Sequence, residues 1–69
     1  MPLSFADINA VNTIRKVGGS KEQHHHLENL GFVEGAQVIV VSKTKGNIIV
    51  NIKDVRIALS EELARKILV

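Results

Sequence analysis

Three adjacent imidazoles, His24, His25 and His26, are the side chains of this sequence best suited to chemistry. Imidazole ligates metals, carries protons and acts as a general base, so such a run invites all three roles. Spacing narrows them. Consecutive residues of an α-helix point about 100° apart, so three neighbours cannot turn toward one ion. His24 and Glu28, four residues apart, share a helix face and are the pair placed to hold a transition metal together, although a closed zinc site takes four ligands. Without a metal, the same run is a solvated helix face bearing His where Lys or Arg would also serve.

The other polar groups do not assemble into catalytic patterns. Gly18-Gly19 precedes a helix but lacks the Gly-x-x-x-x-Gly-Lys pattern of a phosphate loop, and reads as a strand-to-helix turn. None of Ser4, Ser20, Ser42 and Ser60 sits in a Gly-x-Ser-x-Gly elbow. Cysteine is absent, which removes disulfides and thiolate metal sites. The expectation is a protein that is not an enzyme. Nine Lys and Arg against seven Asp and Glu give a net charge of +2, scattered along the chain rather than gathered in a stripe. With two aromatic residues, Phe5 and Phe32, there are no stacking platforms, so no nucleic-acid partner is expected. Lys43 and Lys45 flank a polar hairpin tip and offer contacts to an anionic partner.

The elements that must position these groups are short. With 69 residues the chain makes one domain, residues 1–69, and 17 of its residues are Val or Ile. Residues 2–8 suit one helical turn, with Ser4 and Asp7 as a weak capping box and Leu3, Phe5 and Ile8 as core contacts. Residues 13–17 suit a strand. Ser20 then caps a helix, with Gln23 completing a Ser-x-x-Gln box and Leu27 and Leu30 on one face. Gly31 falls where a left-handed residue ends the helix, which lets Phe32 pack back on Leu27.

Beyond residue 36 the pattern becomes that of strands. Residues 36–42, 48–53 and 55–59 form a meander joined by the polar loop 43–47 and a tight turn at Asp54. Ser60 caps a last helical turn that begins with Glu61 and Glu62, where acidic groups suit the helix dipole. Residues 66–69 form a terminal strand that pairs back to an early one. The sum is a mainly β chain: a small barrel of about five strands, with one inserted α-helix and a short helical turn before the last strand. Closure of that barrel would remove the sticky edges of an aliphatic sheet. The longest unbroken apolar run, Val38 to Val41, is far below the ~20 residues that span a bilayer, and no basic-then-apolar leader is visible. A cytoplasmic protein without membrane insertion is expected.

The run Leu27-Glu28-Asn29-Leu30-Gly31-Phe32-Val33-Glu34-Gly35 resembles the Leu-x-x-Leu-Gly-hydrophobic-x-x-Gly signature of the ferrous iron transport protein A family, FeoA. Further along, Arg56-Ile57-Ala58-Leu59 and the Ala-x-x-Ile-x-Val of residues 64–69 resemble the family's later pattern, in the same order. The resemblance implies an SH3-like barrel that accompanies a membrane ferrous iron transporter with a cytosolic GTPase domain. It implies a role through protein–protein contact, for which His24, His25, Glu28, Lys43 and Lys45 are the candidate residues. No cofactor is required by that role. Family association also brings Fe2+ or Zn2+ binding, for which His24 and Glu28 are the candidate ligands. The alternative function is a metal-binding or metal-sensing barrel related to the C-terminal domain of iron-dependent repressors.

Overall fold

A computed structural model describes residues 1–69. Its first element is a 3₁₀ turn, Leu3–Phe5, followed by strands β1 (Val11–Thr13) and β2 (Lys16–Val17) and helix α1 (Lys21–Asn29). The meander β3 (Gln37–Thr44), β4 (Asn47–Ile52) and β5 (Val55–Ser60) comes next, then the helical turn α2 (Glu61–Ala64) and β6 (Ile67–Leu68). The meander and β1 make a four-stranded antiparallel sheet in the order β1-β3-β4-β5, while β2 and β6 make a separate two-stranded one.

The fold is thus mainly β with the expected helix and helical turn, and the last strand does pair back to an early one. Six strands replace about five because the expected strand 13–17 divides at a corner. Ile14 N–H donates to the Ala36 carbonyl (2.9 Å), and the next residue, Arg15, donates to the Leu68 carbonyl (2.7 Å). The chain therefore leaves one sheet and joins the other within a single step, and Ile14 is buried at that corner. The hydrogen-bonded ladder also does not close into a continuous cylinder, because β5 ends its sheet with a partner on one side only.

The first turn corrects the expectation more sharply. Its 3₁₀ geometry repeats every three residues, so Leu3 and Ala6 fall on the same side and are fully buried. Phe5 and Ile8, expected in the core, are 69% and 48% exposed. The capping box of Ser4 and Asp7 does not form: Pro2 is the cap, without a side-chain bond, and the buried Ser4 Oγ has no partner.

The core is aliphatic apart from Phe32 and sits between the two sheets. Val38 and Val40 of β3, Ile48, Val50 and Ile52 of β4, and Leu59 of β5 face inward by period-two alternation. An extra residue in β3 between Val40 and Ser42 bulges that strand and lets the sheet bend. The remaining sides are covered by Leu3, by Leu27 of α1 with Phe32 beyond it, by Ala64 of α2 and by Ile67 of β6. Loop 43–47 is shorter than expected. β3 runs on to Thr44, so Lys43 is a strand residue and Lys45-Gly46 alone make the turn.

Candidate functional site

Helix α1 carries the candidate residues, and both of its ends are fixed by local chemistry. Gln23 N–H donates to Ser20 Oγ (3.2 Å) and Ser20 N–H donates to Gln23 Oε1 (2.9 Å), the reciprocal box expected of that spacing. At the other end Gly31 takes φ +103°. Phe32 N–H then reaches the Leu27 carbonyl and Gly31 N–H the Glu28 carbonyl, both at 2.9 Å. That pair of bonds is a Schellman ending, and the buried Phe32 and Leu27 share the core beneath it.

The helix so held aims His24 back at the preceding strand. Its Nδ1 lies 3.0 Å from the Val17 carbonyl oxygen, and its Nε2 lies 2.8 Å from Glu28 Oε1. The Nδ1 contact is a hydrogen bond only when Nδ1 carries a proton, because a carbonyl only accepts. When Nε2 is protonated as well, the imidazolium donates to the Glu28 carboxylate. When it is not, a nitrogen lone pair and a carboxylate face the same point, which is a half-shell for a cation. Both side chains are 46% exposed, at the edge of a cleft of about 330 Å³ shared with Phe32, Val33 and Glu34.

The structure brings His24 and Glu28 together as their spacing requires, and does not gather the other candidates around them. His25 points to a different face, where it lines an open depression with His26, Lys21, Glu22 and Asn29. Lys43 and Lys45 are exposed and line neither cavity. No three His, Asp or Glu side chains stand close enough to form a metal site. His24 and Glu28 therefore supply two donors where even a catalytic zinc site draws three from protein. Two features of the cleft were not read from the sequence. The Val17 carbonyl depends on how β2 hands over to α1, and Glu34 enters only because the Schellman turn swings residues 32–34 back beside the helix.

No helix is long and apolar enough to cross a membrane. No curated protein sequence matches the chain. Among solved structures, iron(II) transport protein A from Clostridium thermocellum is 27% identical, with a TM-score of 0.91 over 99% of this chain and 43% of that one. FeoA from Stenotrophomonas maltophilia, an SH3 domain protein solved with zinc, is 24% identical, with a TM-score of 0.87 over 99% of this chain and 87% of that one. A manganese-dependent transcriptional repressor shares the fold at 16% identity, with a TM-score of 0.88, 97% of this chain matching 39% of it. The family model of the FeoA domain matches residues 1–69. From its first turn to its last strand, the chain belongs to the FeoA family, and its fold is SH3-like.

Proposed function

We propose that this chain is a non-catalytic accessory of ferrous iron uptake that acts by contact with the membrane ferrous iron transporter or its cytosolic GTPase domain. The observation that carries the reading is the FeoA match across the whole chain. The physical layout agrees with it. Of 15 buried residues, 14 are hydrophobic and belong to one core, so the interior is committed to packing and the outer surface is left for recognition. His24, His25 and Glu28 on α1 and Lys43 and Lys45 at the β3–β4 end are the proposed contacts.

Titrating the purified transporter, held in nanodiscs, against the labelled chain tests this. Saturable binding is expected, weakened by at least about tenfold, or ~1.4 kcal/mol, when His24, His25 and Glu28 are together replaced by Ala. Binding that is absent, or unchanged by those substitutions and by Lys43→Ala with Lys45→Ala, contradicts the proposal.

A second reading, transition-metal binding, is favoured by one observation. With a proton on Nδ1, His24 donates to a backbone carbonyl, the outer-shell contact that orients metal-ligating histidines, and this leaves Nε2 beside Glu28. Two donors do not complete a site, so Fe2+ or Zn2+ held here would take further ligands from a partner molecule or from water. Zinc titration followed by NMR tests it: shifts confined to His24 and Glu28 support the reading, and no selective shift opposes it.

A further inference from the structure

The open side of β5 has a specific pattern of free backbone groups. Glu61 N–H donates to the Gly46 carbonyl at 3.0 Å, and the β4–β5 register runs unbroken from Asn47↔Ser60 to Ile52↔Val55. Antiparallel pairs alternate between hydrogen-bonded and non-bonded. The main-chain groups of Val55, Ile57 and Leu59 therefore face β4, and those of Arg56, Ala58 and Ser60 face away. No strand lies on that side, and no loop accepts from these three N–H groups. All three residues are exposed. Apart from the charge of Arg56, the strand carries no guard against edge pairing: no Pro, no bulge and no inward-pointing charge.

We propose that this edge is a self-association surface, on which β5 of a second copy adds antiparallel to β5 of the first about a twofold axis at Ala58. Faces and hydrogen bonds select that register. It sets Ala58 against Ala58 and Arg56 against Ser60 on the outer face, and Ile57 against Leu59 on the inner one; the Ala58 pair can exchange two bonds, and Ser60 N–H can donate to the Arg56 carbonyl, while the Ser60 carbonyl caps α2. The small Ala58 leaves room at the axis, and its neighbour across the ladder, Ile49, adds apolar surface beside it. Charge argues for a second copy as the occupant. Arg56 is the second residue of β5, just after the exposed Lys53-Asp54 turn, and the strand runs into two anions, Glu61 and Glu62. Antiparallel pairing lays the Arg56 end of each copy beside the acidic end of the other. Glu61 is already paired with Arg65 at 3.1 Å, whereas Arg56 and Glu62 have no ion-pair partner within the chain. The two four-stranded sheets would join into one.

Sedimentation equilibrium of the full chain from micromolar to millimolar concentration reads the result. The wild type should shift from 7.6 kDa toward twice that mass. Ala58→Pro removes an outward N–H without touching the β4 ladder, and should raise the dimer dissociation constant at least about tenfold. Arg56→Glu should do the same, and Arg56→Glu with Glu62→Arg should restore the dimer; these two keep the test intact if the proline variant fails to fold. A wild type that stays at 7.6 kDa throughout, or a dimer indifferent to both Arg56→Glu and Ala58→Pro, overturns the proposal. Protection of the β5 amides only when the transporter's cytosolic part is added also overturns it, assigning the edge to a transporter strand. Transporter binding itself is a separate measurement, so neither reading falls with the other.

Discussion

Gly19 and Gln23 offer a quantitative check on how α1 is anchored. Gly19 has φ +94°, and a Cβ built there lies 2.7 Å from Gln23 Oε1 and 3.2 Å from Gln23 Cβ. Gly19→Ala should therefore cost two separable amounts. The left-handed backbone costs an L-residue about 1–2 kcal/mol. Displacing Oε1 also breaks its bond from Ser20 N–H, half of the capping box, for roughly 0.5–1 kcal/mol more. Gly46→Ala is the control, since its φ of +83° is similar and nothing lies within 4 Å of the added carbon. Once Gln23→Ala has removed Oε1, adding Gly19→Ala should cost less than in the wild type, though still more than Gly46→Ala, because the 3.2 Å contact with the Cβ of residue 23 remains. The cycle should thus be non-additive by about 0.5–1 kcal/mol. Urea and thermal unfolding resolve this, because 1 kcal/mol moves the melting temperature of a domain this size by about 4–8 °C. Additivity within about 0.3 kcal/mol, or Gly19→Ala no worse than Gly46→Ala, refutes the assignment.

Other outcomes follow from single groups. Ser4→Ala removes a buried hydroxyl without a partner and should stabilise the chain by about 1 kcal/mol in urea unfolding; a loss of stability would mean that the hydroxyl has a partner. Lys53 and Asp54 both hold positive φ, 51° and 62°, at the centre of a two-residue hairpin. Replacing them with Asn-Gly should raise stability by roughly 1 kcal/mol, and an unchanged urea midpoint would count against that turn geometry. Leu27→Ala, at a fully buried position beneath the Schellman turn, should cost about 2–5 kcal/mol, a large share of what so small a domain has; a loss under about 1 kcal/mol would place Leu27 outside the core.

The parts of this fold that were legible in the sequence are those whose chemistry is local. Ser20 with Gln23, Gly31 with Phe32, and Ser60 ahead of Glu61 each write a helix end in a few residues, and each forms as expected. Alternation at Ile48, Val50 and Ile52 shows which face of β4 is inward. The sequence is silent where the outcome depends on distant partners. Residues 13–17 look like one strand because the exchange of the Ala36 carbonyl for the Leu68 carbonyl at Ile14–Arg15 leaves no mark on residue type. By residue type Phe5 reads as a core residue, yet a 3₁₀ turn gives its inward positions to Leu3 and Ala6. The candidate site divides along the same line. The pairing of His24 with Glu28 follows from helical spacing, whereas the Val17 anchor, the separation of Lys43 and Lys45 from the helix, and the free edge of β5 are products of topology.

The central claim is that the FeoA chain contributes its outer surface to the iron transporter and keeps its interior inert. Amide chemical-shift mapping of the labelled chain, on addition of the transporter in nanodiscs, tests it most directly. The account predicts saturable shifts at exposed positions around His24, His25 and Glu28 and at Lys43 and Lys45, with buried Val38, Val50 and Leu59 unmoved. A spectrum that does not respond, or one in which the core residues shift while those surfaces stay silent, would contradict it.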